Sequence, residues 1–491
     1  MANQQYDADI VVIGGGPGGY PAAIHAAKHG ARVVIIDADN MGGTCLNWGC
    51  IPTKTLIGSV SALDTARHAA AFGVKAENVG FDFGAIMARK DKVVTTLVGG
   101  IDFLLKKSKC RAIKGKGTIL DKNTVEVTGD DGKVEKVTTA NIIIATGSVP
   151  AFIPIPGLGD GGVDSDVFFP NFESKRRKAA GNLGDTAVWT SNEAVSAKDV
   201  PARLVILGAG AVGTEFAYVY NGLGSKVTLV ELMPNIVPAV DPEISVELRK
   251  ILEKQGITIL TSTKAASVDV KGRKLTLESE KNGTSELEFD KLLVAIGRRP
   301  FVEGLGLENV GIELERRRVP VDEYMRTSVP NIYAIGDVTG GKLALAHVAT
   351  REGEVAADNA LGHATKMDYR AIPAAVYTEP EVATVGLTEQ EAKDKGYDVQ
   401  IGKFSFKSLG KAMAINENVG LVKIVSEKKY GEILGASIVG PHASDLIHEV
   451  CVSMKLESTI EELMHTIHAH PSLGEAVMEA AQDVKGESVH K

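Results

Sequence analysis

Cysteine is scarce in this sequence, four among 491 residues, and that scarcity excludes a secreted disulfide scaffold. The four are Cys45, Cys50, Cys110 and Cys451, and only the first two are close together. A basic excess is also missing. Lys and Arg number 54 against 62 Asp and Glu, and the net charge of −8 argues against a nucleic-acid or anionic-membrane surface. No run of about 18 consecutive apolar residues occurs, so no membrane-spanning helix is expected. The opening MANQQYDADIVVIGGG lacks a basic n-region, a separate apolar h-region and an Arg-rich transit pattern. An uncleaved, cytoplasmic protein is the expectation.

Glycine is present in excess: 53 residues, about 11 % against an average of about 7 %, with no collagen-like or low-complexity period to absorb it. The excess therefore belongs at particular turns. The length predicts about three or four domains. Short apolar, β-branched runs recur at Ile10–Ile13, Val33–Ile36, Ile142–Ala145, Leu204–Leu207, Val227–Val230, Leu292–Ile296 and Ile332–Ile335. Such runs fit strands buried on both faces of a parallel sheet. Helical stretches at Tyr20–His29 and Thr214–Leu223 sit between strand pairs, so a βαβ unit occurs twice. Toward the C-terminus the pattern changes. Val376–Gly386, Val399–Phe406, Leu421–Val425 and Gly435–Ile438 read as strands, and Asp445–Lys455, Ile460–His465 and Gly474–Asp483 as helices, an α+β arrangement with a sheet covered on one side. Pro156–Thr186, with Lys175-Arg176-Arg177-Lys178, reads as a polar loop whose charges are solvated, and Lys281–Ser285 as a hairpin turn.

The first glycine cluster contains Gly-x-Gly-x-x-Gly at Gly14, Gly16 and Gly19, and Asp37 follows 23 residues after Gly14. A strand precedes it and a helix comes after it. In that setting the glycines allow a tight turn and close approach of a pyrophosphate to a helix N-terminus, while the acid accepts ribose hydroxyls. The second cluster has Gly208, Gly210 and Gly213, with Glu231 at the same offset of 23. Either two dinucleotides bind or one site has decayed. Both acids repel a 2′-phosphate, and Leu232, Met233, Pro234 and Asn235 include no arginine to receive one, so NAD is favoured over NADP.

A further motif lies just beyond Asp37: Gly42-Gly43-Thr44-Cys45-Leu46-Asn47-Trp48-Gly49-Cys50-Ile51-Pro52-Thr53-Lys54. In an undistorted helix residues i and i+5 lie roughly 9 Å apart, beyond the Cα separation of about 4.4–6.8 Å that a disulfide needs. A Cys45–Cys50 bridge therefore requires local distortion, which Gly49 and Pro52 permit. Such a bridge would cycle rather than staple. Two buried thiols or half a zinc site remain open as alternatives, although zinc wants further Cys or His nearby.

The segment GGTCLNWGCIPTK resembles the redox-active disulfide of the pyridine nucleotide–disulfide oxidoreductases, a flavoprotein family. The likeness continues through Ala145-Thr146-Gly147, Ala295-Ile296-Gly297-Arg298, Thr327–Asp337 and Thr466–Ala476, covering essentially the whole chain in order. The resemblance implies an α/β protein with two Rossmann-like domains, for FAD and NAD, and a C-terminal α+β interface domain. The expected division is 1–155 with 290–360 for the FAD-binding and central region, 156–289 for NAD and 361–491 for dimerisation. By similarity, Gly14, Gly16, Gly19, Asp37, Lys54, Thr146, Gly147 and Asp337 serve FAD, with Lys54 near the flavin. Gly208, Gly210, Gly213, Glu215, Glu231 and Gly297 serve NAD. Cys45 exchanges with substrate, Cys50 faces the flavin, and His470, held by Glu475, is the acid–base group acting on the other subunit of a homodimer.

The chemistry is coherent on its own terms. A dithiol must lose protons before its thiolate exchanges into a disulfide, and a histidine titrating near neutrality suits that task. His465, His468 and His470 could suggest a metal site, but no Cys or carboxylate completes a ligand set, and no metal is expected. Within the family, both cysteines being present argues against transhydrogenases. The tail Gly486–Lys491 has no vicinal cysteines of the mercuric-reductase kind, and Glu231 argues against NADP-dependent reductases. The resemblance is strongest to members that oxidise dihydrolipoyl groups. It implies as partners the lipoyl domains of 2-oxoacid dehydrogenase complexes or of the glycine cleavage system. An NAD(P)H-dependent reductase of another small disulfide and a non-catalytic flavin-binding subunit are the alternatives.

Overall fold

The computed structural model describes residues 6–151, 154–158, 187–341 and 343–491. The expected loop at 156–186, with its basic run, lies outside them except for Pro156–Leu158.

Apolar β-branched runs build the first sheet. Arg111–Lys114, Val33–Asp37, Ala8–Ile13 and Val134–Ile144 lie side by side in that order, all parallel, and Ile332–Ala334 pairs with the last of them. Successive side chains of a strand point to opposite faces, and here both faces are dry. Ile10, Val12 and Ile35 pack with Ala22, Ala23 and Ala26 of the helix Gly19–Lys28. Val11, Ile13, Val34 and Ile36 pack on the other side with Ile119, Val125 and Val127. Those three come from an antiparallel meander, Lys116–Asp121 and Thr124–Thr128, which extends from the near half of Val134–Ile144.

The second sheet repeats the plan. Thr258–Leu260, Lys226–Val230, Arg203–Leu207, Lys291–Val294 and Val188–Trp189 run parallel in that order. A meander of Thr263–Asp269, Lys274–Ser279 and Gly283–Glu288 precedes its fourth strand; the turn between the last two covers residues 280–282, so the expected hairpin turn at Lys281–Ser285 runs three residues into the following strand. Because Lys291–Val294 pairs with Arg203–Leu207, this sheet runs past the expected boundary at 289. The long meander delays the strand that completes the unit.

In the third region five antiparallel strands form one sheet, in the order Ala374–Val376, Glu381–Gly386, Ile433–Gly440, Leu421–Glu427, Val399–Ser405. The single strand expected at Val376–Gly386 is two, paired with each other, because Pro380 has no N–H for the ladder and the chain turns there. One face packs on Ala443–Lys455, Ile460–His465 and Glu475–Asp483 through Ile447, Val450, Leu463 and Val477.

Two features join the units. The helix Cys50–Arg67 puts Leu56 and Val60 into one core with Phe216 and Tyr220 of the helix Ala211–Gly222. The short strands Ser148–Pro150 and Arg298–Pro300, one leaving each main sheet, pair antiparallel.

Candidate active site

The two glycine turns share a geometry. Gly14 (φ +112°) and Gly208 (φ +96°) occupy backbone conformations that disfavour side chains. A Cβ would lie 2.2 Å from the Ala145 carbonyl oxygen at Gly14 and 2.5 Å from that of Ala295 at Gly208. At Gly19 and Gly213 it would strike the carbonyl oxygens of Gly14 and Gly208, at 1.8 and 1.9 Å. The middle glycines face open space instead: Gly16 has only the Gly43 Cα at 3.8 Å, and Gly210 has nothing within 4 Å. That clearance, at the start of a helix with free N–H groups, fits a pyrophosphate at each turn.

The acids repeat as well. Asp37 accepts hydrogen bonds from the Gly15 N–H (2.5 Å) and the Asp39 N–H (2.7 Å). Glu231 accepts from the Ala209 N–H (2.7 Å) and the Met233 N–H (2.8 Å). Each carboxylate thus binds the amide just after the first glycine and the amide two residues beyond itself.

A cavity of about 880 Å³ runs from Gly14, Gly16 and Asp37 past Cys45, Cys50 and Lys54 to Thr146, Gly147 and Asp337. Its volume falls in the range of cofactor clefts. Glu215 lines it too, with Ala211 and Val212 from the first turn of the second unit's helix. Gly19 lies behind the wall, and Gly208, Gly210, Gly213, Glu231 and Gly297 lie outside it. The second turn therefore borders the cavity through its helix rather than opening into it.

The redox motif does not form one continuous helix. Gly43–Asn47 ends at Trp48, Gly49 breaks the path, and Cys50 begins the next helix. Pro52 falls in that helix's first turn, where a backbone N–H has no intrahelical partner to lose. The break brings the two sulfurs within hydrogen-bonding reach of each other. The bond from the Cys45 thiol, aided by the Lys54 ammonium, holds Cys50 below the usual thiol range against burial and the Glu215 charge. Cys45 is pushed well above the usual thiol range because its proton is committed to Cys50 and it is buried.

Lys54 comes from the first unit and Glu215 from the second. They form an ion pair, with Nζ at 2.8 and 2.7 Å from the two carboxylate oxygens, and Glu215 is only 5 % exposed. The Tyr377 N–H also donates to Glu215 (3.0 Å), and Lys54 stands over the Tyr377 ring at 4.4 Å.

At the other wall the Ser148 hydroxyl donates to Asp337 (2.5 Å). Arg298 donates to the Ser148 hydroxyl (2.7 Å) and carbonyl (2.6 Å), and to the Thr44 hydroxyl (3.3 Å). Thr146 binds the Phe301 carbonyl (2.7 Å), and Phe301 returns its N–H to the Gly147 carbonyl (3.0 Å). Ser148, Tyr377 and the side chain of Arg298 were not singled out in the sequence. The signal for two of them was adjacency: Ser148 comes directly after Thr146-Gly147 and Arg298 closes the Ala295–Arg298 motif, whereas Tyr377 lay inside the expected strand Val376–Gly386 and carried none.

His470 and Glu475 meet as expected, Nδ1 to Oε1 at 2.8 Å, but outside the cavity. Burial opposes the charge of Glu475, yet the Ser472 N–H and His470 hold its carboxyl below the usual range. The His470 side chain is 79 % exposed, in a region that also exposes Ile467, Leu456, Tyr430 and Val452. The three clustered histidines have separate partners: His465 faces Glu461 (3.9 Å), His468 Glu449 (2.6 Å), and His470 Glu475. No group of three or more His, Cys, Asp or Glu among the described residues could hold a metal. Cys110 is buried and Cys451 partly so, and burial pushes each up to about 11, the behaviour of structural thiols. No helix among the described residues is long and apolar enough to cross a membrane.

The family model described as pyridine nucleotide-disulphide oxidoreductase matches residues 8–353, and the dimerisation-domain model of the same family matches residues 372–481. Dihydrolipoyl dehydrogenase from Geobacillus stearothermophilus is 40% identical over 486 residues, spanning 99% of this chain and 97% of that protein. Its counterpart from Thermus scotoductus is 41% identical over 487 residues, 98% of each. Among solved structures, LpdA from Mycobacterium tuberculosis superposes with a TM-score of 0.84 at 29% identity, covering 96% of this chain and 98% of that one. The HOCl-induced flavoprotein disulfide reductase RclA from Escherichia coli gives 0.81 at 28% identity, covering 96% and 99%.

Proposed function

The chain belongs to the pyridine nucleotide–disulphide oxidoreductase family, and from that premise we propose that it oxidises protein-bound dihydrolipoyl groups and passes the electrons, as hydride, to NAD. One observation carries the reading. The Cys45–Cys50 pair shares a cavity with the first glycine turn, Lys54 and Asp337.

FAD and NAD are the cofactors; when bound, FAD would supply a two-electron acceptor for the reduced cysteine pair and NAD a hydride acceptor. Gly14, Gly16, Gly19, Asp37, Thr146, Gly147 and Asp337 would hold FAD, with Lys54 beside the reacting end. Gly208, Gly210, Gly213, Glu215, Glu231 and Gly297 would hold NAD.

The protein's own part is thiol–disulfide exchange. A substrate thiolate attacks the Cys45 sulfur of the oxidised pair, the Cys45–Cys50 bond breaks, and Cys50 leaves as a thiolate. The direction is set by acidity, since the thiol of lower pKa leaves faster, and Cys50 is the acidic member. The second substrate thiolate then attacks the substrate sulfur of the mixed disulfide, closing the lipoyl ring and releasing Cys45. His470 Nε2 accepts one proton at a time: the first, from the attacking thiol, passes to solvent, and the second, from the ring-closing thiol, passes to the Cys45 sulfur as it leaves, while Glu475 fixes the ring through Nδ1. His470 stands outside its own chain's cavity, so a second copy supplies it in a homodimer formed through the dimerisation domain.

The lipoyl groups arrive on domains of 2-oxoacid dehydrogenase complexes or of the glycine cleavage system. The setting is the cytoplasm, whose reducing conditions keep an exchangeable cysteine pair from being permanently oxidised. Steady-state turnover of dihydrolipoamide with NAD and with NADP tests the reading: NAD is expected to win by a wide margin. Better turnover with NADP, or none with either, overturns it. A second reading, reduction of a different small disulfide at the expense of NAD(P)H, draws on the likeness to a flavoprotein disulfide reductase. A panel of disulfide substrates with NADH separates the two.

A further inference from the structure

Glu352 is a buried carboxylate that the exchange chemistry does not use. It lies in the helix Ala346–Ala360 and is 2 % exposed. It makes two hydrogen bonds, accepting the Gly336 N–H at 2.6 Å and the Tyr369 O–H at 2.7 Å. Burial raises its pKa, and those two bonds work against the rise. Gly336 has φ +70° and precedes Asp337, whose carboxylate lines the cavity, so the bonded amide belongs to the turn that presents that carboxylate. The same helix seats the opposite side of the cradle. The Thr350 hydroxyl donates to the Pro17 carbonyl at 2.8 Å, and a Cβ on Gly353 would lie 2.5 Å from the Gly18 carbonyl oxygen.

Tyr369 stands just ahead of the dimerisation domain at 372–481. Its neighbours are tied to that domain. Asp368 pairs with Lys455 at 2.6 Å and Arg370 with Glu457 at 3.0 Å, both at the end of the helix Ala443–Lys455. Ion pairs at the two chain neighbours of Tyr369 therefore tether its backbone to the dimerisation domain, and hydrogen bonds from its hydroxyl through Glu352 lead on to the Asp337 turn.

We propose that Glu352 is a positioning residue for the flavin cradle: it fixes the Gly336–Asp337 turn against the first glycine turn, and Tyr369 makes that hold depend on the dimerisation domain. The inference rests on the flavin reading given above. Glu352 touches no reacting atom, and its effect reaches the cofactor only through the backbone of Gly336.

The test is the rate of flavin release from the full-length holoenzyme, tracked by the rise in free-flavin fluorescence on dilution. Glu352→Ala removes the acceptor of the Gly336 N–H, and leaving that part-buried donor unpaired implies release faster by about tenfold or more. Glu352→Gln keeps an acceptor for Gly336 and is expected to restore most of the difference. Tyr369→Phe, which deletes one hydroxyl and is expected to fold, should speed release several-fold in the parent protein and not at all in the Glu352→Ala background. That non-additivity marks a residue acting through another. Wild-type release from Tyr369→Phe, fully additive effects, or no rescue by Gln overturns the proposal. A parent protein that retains no flavin would overturn the functional reading instead, and Asp337→Ala provides the reference for a cradle lost outright.

Discussion

The two dinucleotide units match almost atom for atom at their turns and differ in the segments attached to them. In both, a first glycine with positive φ abuts a carbonyl oxygen, a last glycine packs on the first, and an acid ties the turn to its own strand. After Asp37 the first unit runs directly into the Gly42–Lys54 segment and its cysteines. After Glu231 the second proceeds to the helix Pro242–Lys254 with no reactive side chain of that kind. The turn is thus a shared framework, and the reactive thiols come from the segment joined to it in the first unit. The units also differ in how they are fastened. Asp241, which caps the helix Pro242–Lys254, pairs at 3.0 Å with Lys423 of the third region, and the two side chains are 3 % and 4 % exposed. Glu243 and Glu389 complete the set, at 3.2 and 2.8 Å from the same ammonium.

The sharpest break in the comparison is Cys50→Ser. It should lower dihydrolipoamide turnover by at least about a thousandfold, since a two-sulfur relay cannot run on one sulfur. NAD affinity, measured by titration, should stay within about twofold. Next comes Lys423→Met, which leaves Asp241 buried without its cation. A loss of about 3 kcal/mol is expected in urea unfolding, felt by the second unit rather than the first. The pH dependence has a definite sign. Glu389 is held down to about 2 by Lys393 and Lys423. A depressed carboxyl contributes stability that is present above the ordinary carboxylate range and is lost as pH falls toward 2. The variant should show a shallower acid limb.

Paired alanine substitutions probe the equivalence itself. Gly14→Ala should release flavin, and Gly208→Ala should raise KM for NAD while flavin content holds, each by about ten- to a hundredfold given the backbone strain involved. If either variant disturbs both cofactors, the turns are not independent. The smallest effect is expected from Lys54→Met. Removing a cation beside Cys50 raises its thiol, so alkylation of the reduced pair should need a higher pH, by about one unit or less.

Much of this architecture was legible in the sequence because its signals are local. Continuous apolar runs gave both parallel sheets, and Ile460–His465 begins and ends as periodicity predicts. The first glycine spacing and the cysteine segment located one wall of the cavity, while the second spacing marked a turn outside it. What escaped detection depends on pairings between distant residues. Lys54 and Glu215 are 161 positions apart, and Ser148 and Asp337 are 189 apart. No period or spacing reports such a meeting. The boundary at 289 moved for a similar reason: Lys291–Val294 looks like any buried strand, and only its partner reveals which sheet it joins. Pro380 was visible, and weighing its missing N–H would have divided Val376–Gly386 correctly.

The exposure of His470 has a consequence in the law of mass action. Under the proposed function, in which one chain supplies the thiol pair and another its base, a lone chain is an incomplete catalyst however well it folds. Specific activity should then fall on dilution as the dimer fraction falls, while flavin absorbance per chain declines less steeply. Equal amounts of a Cys50→Ser chain and a His470→Ala chain, each inactive alone, should regain activity on mixing. Random exchange of chains places one intact pair opposite one intact base in half of the dimers. Each such dimer has one working centre of two, so about a quarter of the parent activity should return.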